Sequence, residues 1–188
     1  MSILIGPNFE IETAELLTRM RQVSVLPNYA LRSLINLTIR NLKSTGCWSK
    51  IDVLKFYCLH RQEAALLNWK GDYCNSININ SVPWTAKTGF TNNNAARYID
   101  SGYNPYSGRT WNYQQDDAFF GVYLIVNSNT TVPPITQGSF TYLVPRYWSG
   151  SNYYSRGCIN GSSLVTGYVI SDSTGLTIIE RFSSTQHR

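Results

Sequence analysis

The chain has 188 residues, 43% hydrophobic and only 14% charged. That is enough apolar material to bury a core and excludes intrinsic disorder, while the charge content lies well below the usual quarter of a globular sequence. Asn, Ser, Thr, Gly and 13 Tyr stand where ions would otherwise be, a composition common in all-β binding and structural proteins and unusual in cytosolic metabolic enzymes.

The net charge of +5 is uneven: residues 1–70 carry +4 and residues 71–188 carry +1. A basic front end can face nucleic acid or an acidic partner surface. The cations here are spread out with no block of like charge, so a solvated face is expected and nucleic acid is not an expected partner. No apolar run is long enough to span a membrane, and the N-terminus lacks a basic segment followed by an apolar one. The expectation is a chain made and matured in the cytoplasm of its producer, with no membrane partner. Cys47, Cys58, Cys74 and Cys158 form no C-x-x-C pair and are expected as buried free thiols.

In chain order, residues 1–8 read as an extended arm. Over 9–23, Glu10, Glu12 and Glu15 come early and Arg19 and Arg21 late, complementing a helix dipole; Ile11, Leu16, Leu17 and Met20 supply an apolar side. After Pro27-Asn28, the residues Leu31, Leu34, Ile35, Ile39 and Leu42 form one apolar stripe of a second helix, with Gly46 as its stop. Ser49-Lys50-Ile51-Asp52 is a capping-box pattern for a third helix, or pair of short helices, largely buried through Leu67. His60 stands alone there and reads as structural. At residues 68–72 helix formers give way to Asn, Ser, Thr, Gly and aromatics, which divides the chain into a helical docking segment, 1–70, and a β domain, 71–188.

The stretch at 95–126 organises that second part. Residues 95–100 read as a short extended segment stopped at Gly102 and turned by Asn104-Pro105. Residues 118–126 are a dense aromatic and β-branched run, a strand buried on at least one face. Further strands are expected at 77–79, 140–144, 164–170 and 176–182, with a strand end or edge at 82–84 set by Pro83, a turn at 87–90 into another extended piece, breaks at 92–94, 133–134 and 172–175, and an aromatic-polar loop at 146–156. Many short strands with turns between them indicate a sandwich or jelly roll.

Leu42, Lys43, Gly46, Trp48, Lys50 and Asp52, then Leu67-Asn68, then Tyr98, Asp100, Gly102, Asn104 and Pro105, then Ala118, Gly121 and Tyr123 carry a family resemblance. Over roughly residues 30 to 185 the chain resembles tailed-phage and prophage virion proteins that join a helical segment to a concanavalin-like (laminin-G-like) jelly roll. The resemblance implies an α+β fold, an N-terminal helical segment followed by an antiparallel β-sandwich, in a virion protein assembled in the host cytoplasm. Relatives continue with several strands after the 175–181 segment, whereas the sequence ends at Arg188. Either the polypeptide continues, or another copy or another virion protein completes the sandwich, giving a homo-oligomer or hetero-assembly. An incomplete sheet attracts a partner strand, so the chain is expected to be stable only within an assembly.

No residues supply an obvious chemistry. Glycoside hydrolysis needs two carboxylates across a cleft, and no Glu-x-Asp-x-x-Glu strand is present. Asp116-Asp117 would need further oxygen ligands to hold calcium, so no cofactor is expected, with calcium as the one alternative. P-loop, G-x-G-x-x-G, G-x-S-x-G and H-E-x-x-H patterns are absent, and no enzymatic activity is expected. Aromatic loops remain: Tyr103, Tyr106, Trp111 and Tyr113, with Tyr147, Trp148, Tyr153 and Tyr154. Such side chains stack on sugars, anchor interfaces or fill a core. Three readings follow: a phage virion structural protein acting by protein–protein contact, a carbohydrate-binding adhesin or receptor-binding module recognising a host-surface glycan, and a degenerate glycosidase.

Overall fold

The structure, a computed structural model, describes residues 8–91, 96–104, 110–114, 117–125, 135–137, 141–149, 152–159, 165–169 and 171–181. The chain has both helices and antiparallel strands and is α+β. It divides into two compact units, Met1–Thr110 and Trp111–Arg188. The compositional shift at 70/71, read above as a domain boundary, therefore falls inside the first unit: helix gives way to loop and strand there without a new body beginning.

In the first unit, α1 (Ile11–Val23) and α2 (Tyr29–Ser44) form where the patterns place them. The Asn28 side chain caps α2 by accepting from the Leu31 N–H at 2.9 Å. At its far end Gly46 takes φ +74° and donates its N–H to the Lys43 carbonyl, the left-handed stop the sequence suggests. The start of α1 has no side-chain cap of its own. The buried Asn36 of α2 supplies one, its Oδ1 accepting from the Glu10 N–H at 2.8 Å and the Thr13 hydroxyl at 3.0 Å. Asn36 thus shares the buried face of α2 with Ile35 and Ile39, while Leu34, expected in the stripe, is 57% exposed. Across the same pair, Lys43 Nζ reaches Glu10 at 2.7 Å and Glu12 at 2.9 Å. These are partly exposed ion pairs, which add little to stability. Leu16, Leu17, Met20, Ile35 and Ile39 pack with Leu59, Ala64, Ala65, Leu67 and Trp69 in one core.

The expected third helix departs from the structure. Only single turns form, α3 (Cys47–Lys50) and α4 (Gln62–Ala65), and Ser49 lies inside α3, its hydroxyl donating back to the Gly46 carbonyl. Between them, distant partners take the backbone groups a helix would have used. The Leu54 N–H donates to Asn68 Oδ1 at 3.0 Å. The Leu54 and Leu59 carbonyls accept from the Trp69 and Lys87 N–H groups, each at 2.9 Å, and the Tyr57 carbonyl accepts from the Trp84 indole at 2.9 Å. Cys47 and Cys58 are exposed as a result, Cys74 is half-buried, and only Cys158 is the buried free thiol expected of all four.

Asn68 is fully buried and every polar group it has is used. Its N–H donates to Asn75 Oδ1 at 2.9 Å and its Nδ2 to the Tyr73 carbonyl at 3.0 Å. Its Oδ1 accepts from Leu54 and also from the Lys70 N–H at 3.2 Å, and its carbonyl accepts from Arg19 Nη1 at 2.7 Å. Beyond it, β1 (Ile77–Ile79), β2 (Trp84–Thr85), β3 (Gly89–Phe90) and β4 (Tyr98–Asp100) form two small antiparallel pairs, β1–β4 and β2–β3. The stop after β4 is steric: Gly102 has φ +64°, and a Cβ there would lie 2.9 Å from the Asn75 carbonyl oxygen.

The second unit contains β5 (Ala118–Leu124), β6 (Ile135–Gln137), β7 (Thr141–Ser149), β8 (Asn152–Cys158), β9 (Val165–Val169) and β10 (Gly175–Arg181). β5 and β10 pair antiparallel along their whole length, from Gly175 opposite Leu124 to Arg181 opposite Ala118. A separate antiparallel sheet runs in the order β6-β7-β8-β9. The aromatic loop expected at 146–156 is instead the β7–β8 hairpin, with Tyr147 opposite Tyr154 and Trp148 opposite Tyr153. Pro145, which has no N–H for a ladder, falls where the register shifts between Val144 and Tyr147, the irregularity that tolerates proline in an inner strand. Ala118 and Ile179 share a small core with Leu143 and Ile159. The turn expected at 92–94 lies outside the described residues.

Replacing Asn68 by Ala removes the side-chain amide and strands the Leu54 and Lys70 N–H groups and the Tyr73 carbonyl. The expected loss is about 3 kcal/mol or more of unfolding free energy in urea titrations, against less than about 0.5 kcal/mol for a polar replacement of exposed Leu34.

Candidate functional site

Two arrangements stand out from the described residues. The first lies on the β5–β10 pair. Successive side chains of a strand point to opposite faces, and on one face Ala118 and Ile179, with Phe120 and Val122 beside them, enter the core. The opposite face carries Phe119 and Tyr123 of β5 and Leu176 and Ile178 of β10, exposed by 48, 68, 64 and 46%, with Ile125 just past β5 at 48%. The register sets Tyr123 opposite Leu176, Gly121 opposite Ile178 and Phe119 opposite Glu180. A Cβ at Gly121 would come within 3.2 Å of Ile178 Cγ1, so Ile178 lies over the glycine and levels the surface. Both faces of this pair are apolar, and only one has a core against it among the described residues.

The second arrangement is polar and belongs to the first unit. Lys55 Nζ donates to the Cys74 carbonyl, to Ser76 Oγ at 2.6 Å and to the Ser101 carbonyl at 2.8 Å. The Tyr57 hydroxyl lies 3.1 Å from the same Ser76 oxygen. Burial penalises the ammonium and brings Lys55 down from 10.5 to about 8, against the opposing pull of Cys74 and Asp100. Burial likewise raises Tyr57. Serine beside a lysine of lowered pKa is a pairing in which an amine can take the hydroxyl proton. Ser76, however, is only 7% exposed, and all three ammonium donors are engaged. The physical role is a clamp joining residues 55, 74–76 and 101, and it holds Cys74 at φ +51°, a left-handed conformation costly for a non-glycine residue. Nothing in the local sequence announces this cluster, because its members are brought together across 46 residues.

The aromatic residues proposed for binding do not converge among the described residues. Trp111 is 7% exposed and sits inward rather than presenting a stacking face. Tyr113 packs against the Ala118–Ile179 core. Tyr153 and Tyr154 are half-buried on β8, and the Arg146 guanidinium covers the Tyr153 ring at 3.8 Å from its centroid. Tyr147 and Trp148 have their backbones in β7, with side chains outside the described part, and Tyr106 lies outside it altogether. Asp116, half of the calcium alternative, is also outside it; among the described residues no three His, Cys, Asp or Glu side chains gather as a metal site. His60 Nε2 lies 2.6 Å from the Val25 carbonyl oxygen. No described helix is long and apolar enough to cross a membrane.

Compared with known proteins, the chain matches no family model, no curated protein and no solved structure.

The Lys55 clamp has a pH signature. Its folded pKa lies below the unfolded value, so between pH 8 and 10.5 the unfolded chain holds the extra proton and this group makes stability rise with pH. Tyr57, raised in the fold, opposes this above its unfolded pKa. Denaturant midpoints measured from pH 7 to about 10 should therefore contain a rising component that Lys55→Met flattens.

Proposed function

We propose that this chain is a structural protein of a phage virion that works by protein–protein contact, its second unit a two-layered sandwich of the concanavalin-like, jelly-roll kind. The β5–β10 pair forms one layer and β6–β9 the other. In support of two layers, Ala118 and Ile179 meet Leu143 and Ile159 in a single core, and buried Arg181 of β10 donates to the Ile159 carbonyl at 3.4 Å. The virion setting rests on the residues that resemble tailed-phage proteins, Trp48, Asn68, Gly102 and Gly121 among them.

The observation that carries the contact reading is the apolar outer face of β5–β10. A contiguous apolar patch of this size is as large as the largest on a typical monomer, and such patches are often functional contact sites. The adhesin reading needs open aromatic faces in the loops, and among the described candidates buried Trp111 and Arg146-covered Tyr153 do not provide them. Partners are accordingly other virion proteins or further copies of the chain rather than a glycan.

Mass spectrometry of gradient-purified particles from the strain encoding the chain should find it as a stoichiometric component. In parallel, the purified chain on a glycan array should give no saturable binding. Absence from particles together with saturable binding abolished by Tyr154→Ala would reverse the choice, and turnover of a polysaccharide would reinstate the glycosidase reading.

A further inference from the structure

We infer that the outer face of β5–β10 is the contact between two copies of this chain, packed sheet against sheet. The inference deepens the contact-protein reading and rests on it.

Three features of the face favour a second copy. The first is area: Phe119, Tyr123, Ile125, Leu176 and Ile178 together leave about 500 Å² of apolar surface open, so two such faces brought together bury at most about 1,000 Å², the lower bound for a biological interface and the size of a weak, reversible one. The second is shape. Two sheets pack face to face when side chains of similar height line both inner surfaces. Ile178 lying over Gly121 removes the one gap in the row. The third is charge. Side chains on this face alternate with those turned inward, and among the described residues Glu180, opposite Phe119 at one end, is its only ionisable group besides the Tyr123 hydroxyl. Arg181 is on the other face, buried at 6%. The chain as a whole is cationic at +5, yet the centre of this face carries no cation among the described residues to repel its copy, and a two-fold makes the same patch serve both partners.

Sedimentation equilibrium of the full chain, over a wide concentration range and at low and high salt, tests this directly. The expected result is a reversible dimer whose association does not weaken with salt, as apolar contact requires. Tyr123→Lys and Ile178→Lys should each raise the dissociation constant by about tenfold or more, as loss of a central interface side chain does. Circular dichroism should match the parent chain, because both positions are exposed. Should either lysine variant fail to fold, Leu176→Ser on the same face provides the milder substitution. A chain that stays monomeric at every concentration, a dimer that salt dissociates, or a dimer indifferent to substitutions in folded variants would each overturn the inference. Failure here is separable from failure of the wider reading. A monomer recovered stoichiometrically in particles refutes the second copy and leaves the virion role standing, whereas a dimer absent from particles does the reverse.

Discussion

The first unit is built around one buried amide. Asn68 has no water to turn to, and a buried polar group left unpaired costs more than a paired one contributes. Its five hydrogen bonds reach Arg19 on α1, Leu54 in the irregular segment, and Lys70, Tyr73 and Asn75 downstream. The helical pair, the 51–61 segment and the turn into β1 therefore meet at one residue, through its side-chain amide and its own backbone N–H and carbonyl. None of the three can shift without stranding a donor or acceptor in the interior.

That constraint explains why 51–61 is not helical although its residues are apolar enough to be. A helix there would have turned Leu54 N–H and the Leu54, Tyr57 and Leu59 carbonyls toward neighbours in sequence. Asn68, Trp69, Trp84 and Lys87 claim them instead. Lys55 extends the same logic. Its ammonium is drawn into a half-buried place because three oxygens from two later segments await it, and the burial that brings its pKa down to about 8 is the cost of gathering those segments at one point.

The second unit presents a different balance. β5 and β10 are apolar on both faces, and among the described residues only one of these faces has a core against it. Strands apolar on both sides belong between two layers, and the pair carries one layer against it among the described residues. Composition points the same way: a chain with 14% charged residues has few ions to spend on breaking up such a surface, and an uncovered face of this kind favours association over solvation.

The sequence alone determined what depends on near neighbours. The periodicity of α1 and α2, the Gly46 stop, the strand runs at 118–124 and 175–181, and the absence of catalytic motifs are all written within a few residues of one another. Tertiary structure decided what depends on distant ones. Asn36 displaced Leu34 from the buried stripe because the start of α1, 26 residues away, needed an acceptor. The 146–156 run became two strands because its halves pair in register, Tyr147 opposite Tyr154 to Ser149 opposite Asn152, where polar residues and a central Gly-Ser suggest a loop. Trp111 turned inward, Lys55 found Ser101, and the exposed face of β5 became visible only once β10 lay beside it in register. Local pattern reports which side chains share a face; only the packed chain settles which of two apolar faces is covered and which remains open to a partner.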